Sequence, residues 1–219
     1  DLMSYLCIVY HFLQMEKPTY DRIGRTLSLA LHPFVIPMLA SVLLLFGPTI
    51  MAGTSPGAKW FLLSIVTANT LILPFFSLVF LHTLKIVPDF SMPLPRQRIV
   101  PLAVTAVCYG LCIVALERIA VAFLLKRFMI AALCCVLAVS VVNLRWKISL
   151  HMTSAGGLLG MLAALSHSGL ANFQFILLFF ILAAGALACA RLYMGCHTIA
   201  QVAAGTFAGM SISWLVLSV

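Results

Sequence analysis

Long stretches of this chain carry no Asp, Glu, Lys or Arg: Phe61 to Leu84, Ile99 to Leu116, Phe128 to Leu144, and the whole of Ile148 to Ala190. Hydrocarbon about 30 Å thick is crossed by roughly 20 apolar residues in a helix, and a helix satisfies its own backbone hydrogen bonds there. With 63% hydrophobic and 8% charged residues, and a mean hydropathy of +1.16, no soluble domain fits. The sequence predicts an all-α, polytopic transmembrane bundle of about seven helices. The expected spans are about 27–45, 61–84, 99–116, 128–144, 152–165, 173–189 and 198–217. Pro33 and Pro37 predict a kink in the first, and Pro74 lies midway along the second. Gly156, Gly157 and Gly160 predict a face for close helix packing in the fifth.

Residues 1–26 are expected to form an interfacial segment or partial helix, with no cleavable signal peptide, and 27–219 a single membrane domain. The seven cysteines form no CxxC pair and are read as small core residues. The net charge is +8, from 13 Lys and Arg against 5 Asp and Glu. On so apolar a chain this basic excess points to a membrane surface and excludes nucleic acid as a partner. Acids as scarce as Asp1, Glu16, Asp21, Asp89 and Glu117 leave no two-metal site, and no metal or cofactor is implied.

The polar residues gather in three knots: Arg96-Gln97-Arg98, Arg145 to His151, and Arg191 to Gln201. Two expected spans separate each knot from the next, so all three fall on one side of the bilayer. Each is followed by a helix, whose first N–H groups carry partial positive charge. Arg96, Arg98, Lys147 and Arg191 add cations and Ser149 a hydroxyl, a set suited to an anion such as phosphate. Gly195 offers a break that lets Arg191 and His197 face one spot. Gln201, four residues after His197, falls on the same helix face and can hold its imidazole. His197, among cations, is expected to stay neutral with one nitrogen free to attack phosphorus. His151 is the second candidate, as general acid and then as base for water.

Arg191-x5-His197-x3-Gln201 resembles the third motif of the type 2 phosphatidic acid phosphatase superfamily, Ser-Arg-x5-His-x3-Asp. Ser149-Leu150-His151 resembles its second, Pro-Ser-Gly-His, and Arg96-Gln97-Arg98 the arginine end of its first. The order and the two helices between motifs agree, over roughly residues 85–219. Ala190, Ile148, Leu150 and Gln201 stand where the pattern has serine, proline, glycine and aspartate, and Lys147 is the candidate for a cation the first motif lacks here. The resemblance implies a six-helix core and metal-independent hydrolysis of a lipid phosphate through a phosphohistidine. It implies His197 as nucleophile, His151 as acid, and Arg98, Ser149 and Arg191 as phosphate ligands.

The expected activity is therefore hydrolysis of a phosphate or pyrophosphate monoester of a lipid: an isoprenyl diphosphate, phosphatidate or lipid A type substrate. Gln201 motivates an alternative, a noncatalytic lipid-phosphate-binding protein or structural subunit of a membrane complex. A third reading, an anion or lipid transporter, has broken helices in its favour but no internal repeat. Nine basic residues lie on the side of the knots and four on the other, which by the positive-inside rule puts the knots in the cytoplasm. Five of the nine are candidate site residues, and the resemblance implies instead the periplasmic face of a bacterial inner membrane.

Overall fold

A computed structural model of the protein describes residues 20–87 and 95–218. They form eight α-helices: α1 (Tyr20–Ala30), α2 (Val35–Phe46), α3 (Pro56–Thr83), α4 (Ile99–Leu116), α5 (Phe123–Asn143), α6 (Leu150–His167), α7 (Gln174–Tyr193) and α8 (Ile199–Ser218). Of the expected interfacial segment, residues 1–19 lie outside the described chain. From Tyr20 the chain is already helical.

The first expected span is two helices, α1 and α2, meeting at 58°. Pro33 explains the break. A helix would have its N–H donate to the Leu29 carbonyl, and proline has none. The residue before a proline is also pushed out of helical geometry. His32 N–H bonds to Leu29 O instead, at 3.3 Å, and helix resumes at Val35. Pro74 is absorbed differently: the turn before it, Ala68–Ile72, widens to π form and α3 continues.

Five stretches are long and apolar enough to cross a membrane: α3, α4 with its 3₁₀ lead, α5 with its own, α7 and α8. The bent pair α1–α2 makes a sixth. On α7, Phe175, Phe179 and Leu182 are exposed, as lipid-facing side chains are. The chain is an integral membrane protein. α6 falls outside that set for a physical reason. Protein surrounds it, with 12 of its 18 residues buried, so it needs no apolar coat against lipid.

α6 packs along α8 almost backbone to backbone. A Cβ on Gly156 would overlap the Thr206 carbonyl, one on Gly160 the Met210 carbonyl, and one on Gly209 the Thr153 carbonyl. This is the small-residue packing of membrane helices, used here on both partners. Gly156→Leu should therefore force α6 and α8 apart and cost about 3 kcal/mol or more. Thermal unfolding in detergent measures it, and an unchanged melting temperature would contradict the close approach.

The consequence for function is positional. Arg98 ends the 3₁₀ turn Pro95–Arg98 that leads into α4. Lys147 lies in the connection between α5 and α6, and His151 opens α6. Arg191 is in the last turn of α7 and His197 in the connection to α8. Gly195, at φ +63°, turns that connection in the left-handed region that glycine favours. The central α6–α8 seam carries His151 and His197 at one end of the bundle.

Candidate active site

That end holds a cavity of about 520 Å³. Arg98, Lys147, His151, Arg191 and His197 line its polar rim, so the three knots meet. Below the rim its wall is apolar, with Ile36, Leu102, Phe128, Val136 and Leu158 reaching into the bundle.

His197 is buried, at 8% exposure, and its ring nitrogens have distinct tasks. Nδ1 lies 3.0 Å from Gln201 Oε1. The Thr198 backbone N–H donates to the same Oε1, at 3.2 Å, which identifies that atom as the amide oxygen. Nδ1 must therefore carry the proton and donate, and Nε2 keeps its lone pair. Burial is the largest reason the His197 pKa falls, to about 4. Arg191, Lys147 and Arg98 push the same way, and the bond to Gln201 opposes them. The imidazole is thus neutral at physiological pH, with a nucleophilic Nε2.

Gln201 has a second task that the sequence reading missed. Thr198 Oγ1 accepts the Gln201 N–H, at 3.4 Å, while the Gln201 side chain takes the Thr198 N–H. This is a capping box at the start of α8, and Thr-x-x-Gln is its written signature. The residue that holds His197 is fixed by the helix it begins.

Arg191 presents a buried Nε with no hydrogen-bond partner. A guanidinium N–H left so is costly unless something fills the place. Burial, and then Arg98 and Arg191, lower the Lys147 pKa, with Cys196 opposing. The rim is a set of cations close enough to repel one another, an arrangement that an anion relieves.

Two expected ligands stand apart from the cavity. Arg96 is exposed and is not part of the lining. Ser149 is fully buried, and its hydroxyl caps α6 by accepting the Met152 N–H at 3.5 Å. A serine before a helix is a natural N-cap, and here its side chain lies buried off the cavity wall. Asp89, the acid that lies between the second and third spans in sequence, falls outside the described residues. His32, which no motif singles out, also lines the cavity, beside His151, with ring centroids 5.3 Å apart. Its signal in sequence was the following Pro33, which breaks the helix and turns the ring inward.

No family model matches the chain, and neither a curated protein nor a solved structure matches it. The functional reading rests on the cavity and its residues.

Proposed function

We propose that the protein is a lipid phosphate phosphatase that works through a phosphohistidine on His197. The observation that carries this reading is the tautomer-fixed His197, its free Nε2 in a cavity shared with Arg191, whose buried Nε lacks a partner. The motif resemblance supports the same assignment.

In this mechanism a phosphate dianion binds among Arg98, Lys147 and Arg191, which stabilise charge on its non-bridging oxygens. The His197 Nε2 lone pair forms the N–P bond as the P–O bond to the lipid breaks. The leaving oxygen takes a proton from His151, taken up on binding the dianion, and departs as the alcohol. Water then attacks phosphorus, His151 receives the water's proton, and hydrogen phosphate leaves with His197 neutral again. The apolar lower wall takes the start of the lipid chain. A site on the periplasmic face of a bacterial inner membrane fits this reading, with isoprenyl diphosphate, phosphatidate and lipid A type lipids as its substrates.

The test is release of inorganic phosphate from phosphatidate or farnesyl diphosphate by purified protein in detergent, with a chelator present. No release from these lipids would overturn the reading. The placement of the cations adds a sharper expectation. Arg191→Ala should lower kcat/KM by about 10²- to 10³-fold, as loss of a transition-state donor does. Arg96→Ala should change it by less than about threefold, since a cation screened by solvent contributes little. Equal losses from the two would contradict the geometry.

Gln201 supports a second reading, a protein that binds lipid phosphate without turning it over. A neutral amide orients His197 but adds no charge to stabilise the imidazolium of a phosphohistidine. Saturable binding of phosphatidate with no phosphate release would select this reading.

A further inference from the structure

The break between α1 and α2 does more than bend a span. Because Pro33 lacks an N–H, the His32 N–H shifts to Leu29 O. The Ser28 carbonyl, its partner in an unbroken helix, is set free. That carbonyl lies 3.1 Å from His151 Nε2 on α6, 123 residues further along the chain. A carbonyl can only accept, so Nε2 carries the proton and His151 Nδ1 is the nitrogen left for chemistry. His32 fixes the other degree of freedom. Its Nδ1 accepts the Phe34 N–H at 3.2 Å, and its ring meets that of His151 edge-on, at 88°.

From this we infer that His32 and the Ser28 carbonyl form the positioning element of His151, aiming its Nδ1 at the oxygen that leaves phosphorus. The inference rests on the phosphatase reading. Ser28 O selects the tautomer and His32 sets the plane of the ring. The proline thus creates both contacts, and the bent span belongs to the site.

A positioning role for the acid differs from a structural role in which substrates it affects. An alkoxide leaving from a lipid phosphate must be protonated. A nitrophenolate leaving from p-nitrophenyl phosphate carries its own charge and needs no proton. The comparison uses kcat/KM, which covers the steps up to transfer of phosphorus to His197. His32→Asn keeps an acceptor for the Phe34 N–H but removes the ring, so it preserves the break and loses the contact with His151. Its kcat/KM on phosphatidate should fall about 30- to 100-fold, as misaimed acids do, while that on p-nitrophenyl phosphate stays within about threefold. His32→Ala, which also loses the acceptor, should show the same selective loss and a lower melting temperature. A proportionate loss on both substrates, or no loss on phosphatidate, from His32→Asn would overturn the positioning role alone. Unaltered protein that releases phosphate from neither substrate would overturn the phosphatase reading, and this role with it.

Discussion

His197→Ala is expected to reduce phosphate release from phosphatidate by at least about 10⁴-fold, because the variant has no nucleophile to form the covalent intermediate. Loss of the attacking group in a serine protease costs about 10⁶ in kcat, and what remains comes from substrate binding and charge stabilisation. Here the remaining cations, Arg98, Lys147 and Arg191, still line the cavity. Binding of phosphatidate should therefore survive in the variant while turnover fails. Two further measurements separate a lost nucleophile from a lost fold. The melting temperature should stay close to that of the unaltered protein, since the capping box of Thr198 and Gln201 does not use the imidazole. Acid-labile phosphate trapped on the unaltered protein during turnover should be absent from the variant. Turnover that persists in His197→Ala would remove the phosphohistidine mechanism, whatever the substrate.

How much of this could be read from the chain depends on the range of the interaction involved. The apolar runs gave the helical class because the membrane constraint is local: each run must span by itself. The Gln201–His197 bond was legible for the same reason, since residues four apart on a helix are neighbours. Parity of the spans was enough to bring Arg98, Lys147, His151, Arg191 and His197 to one end of the bundle. Other features need atoms distant in sequence. Ser149 could be a ligand or a cap, and only its position decides, buried off the cavity wall with its oxygen over the Met152 N–H. Arg96 and Arg98 are two residues apart, yet one is exposed and one buried, because the 3₁₀ turn before α4 gives them different sides. The contact between Ser28 and His151 is invisible in sequence, since a freed carbonyl leaves no mark on residue type. The first expected span became two helices because Pro33 breaks hydrogen bonding at a point where the bundle can use the freed groups.

The second large effect is a gain. Gln201→Glu should raise kcat on phosphatidate by about 10- to 100-fold. In serine proteases, replacing the carboxylate behind the histidine by an amide costs about 10⁴, mostly through the wrong tautomer. That part of the penalty is absent here. The Gln201 oxygen already accepts from Nδ1, at 3.0 Å, so the tautomer is correct and only the charge is missing. A carboxylate about 4 Å from the ring charge is worth about 4 kcal/mol at an effective dielectric of 20. Burying the new anion takes back part of that, and a net 1.4–2.8 kcal/mol corresponds to the stated gain. Glutamate has the length of glutamine and keeps the capping box, so the helix start is preserved. The pH profile gives an independent signature. His197 must be neutral to attack, so kcat/KM fails as pH drops through its pKa, about 4 in the unaltered protein. A neighbouring carboxylate favours the imidazolium and raises that pKa. The acid limb of Gln201→Glu should therefore shift upward, towards neutrality. Ionisation of the lipid phosphate, near 6, is common to both proteins and drops out of the comparison. An unaltered protein without turnover, converted by this one substitution into an active one, would show that the cavity serves to bind phosphate and that the missing charge alone holds back the chemistry.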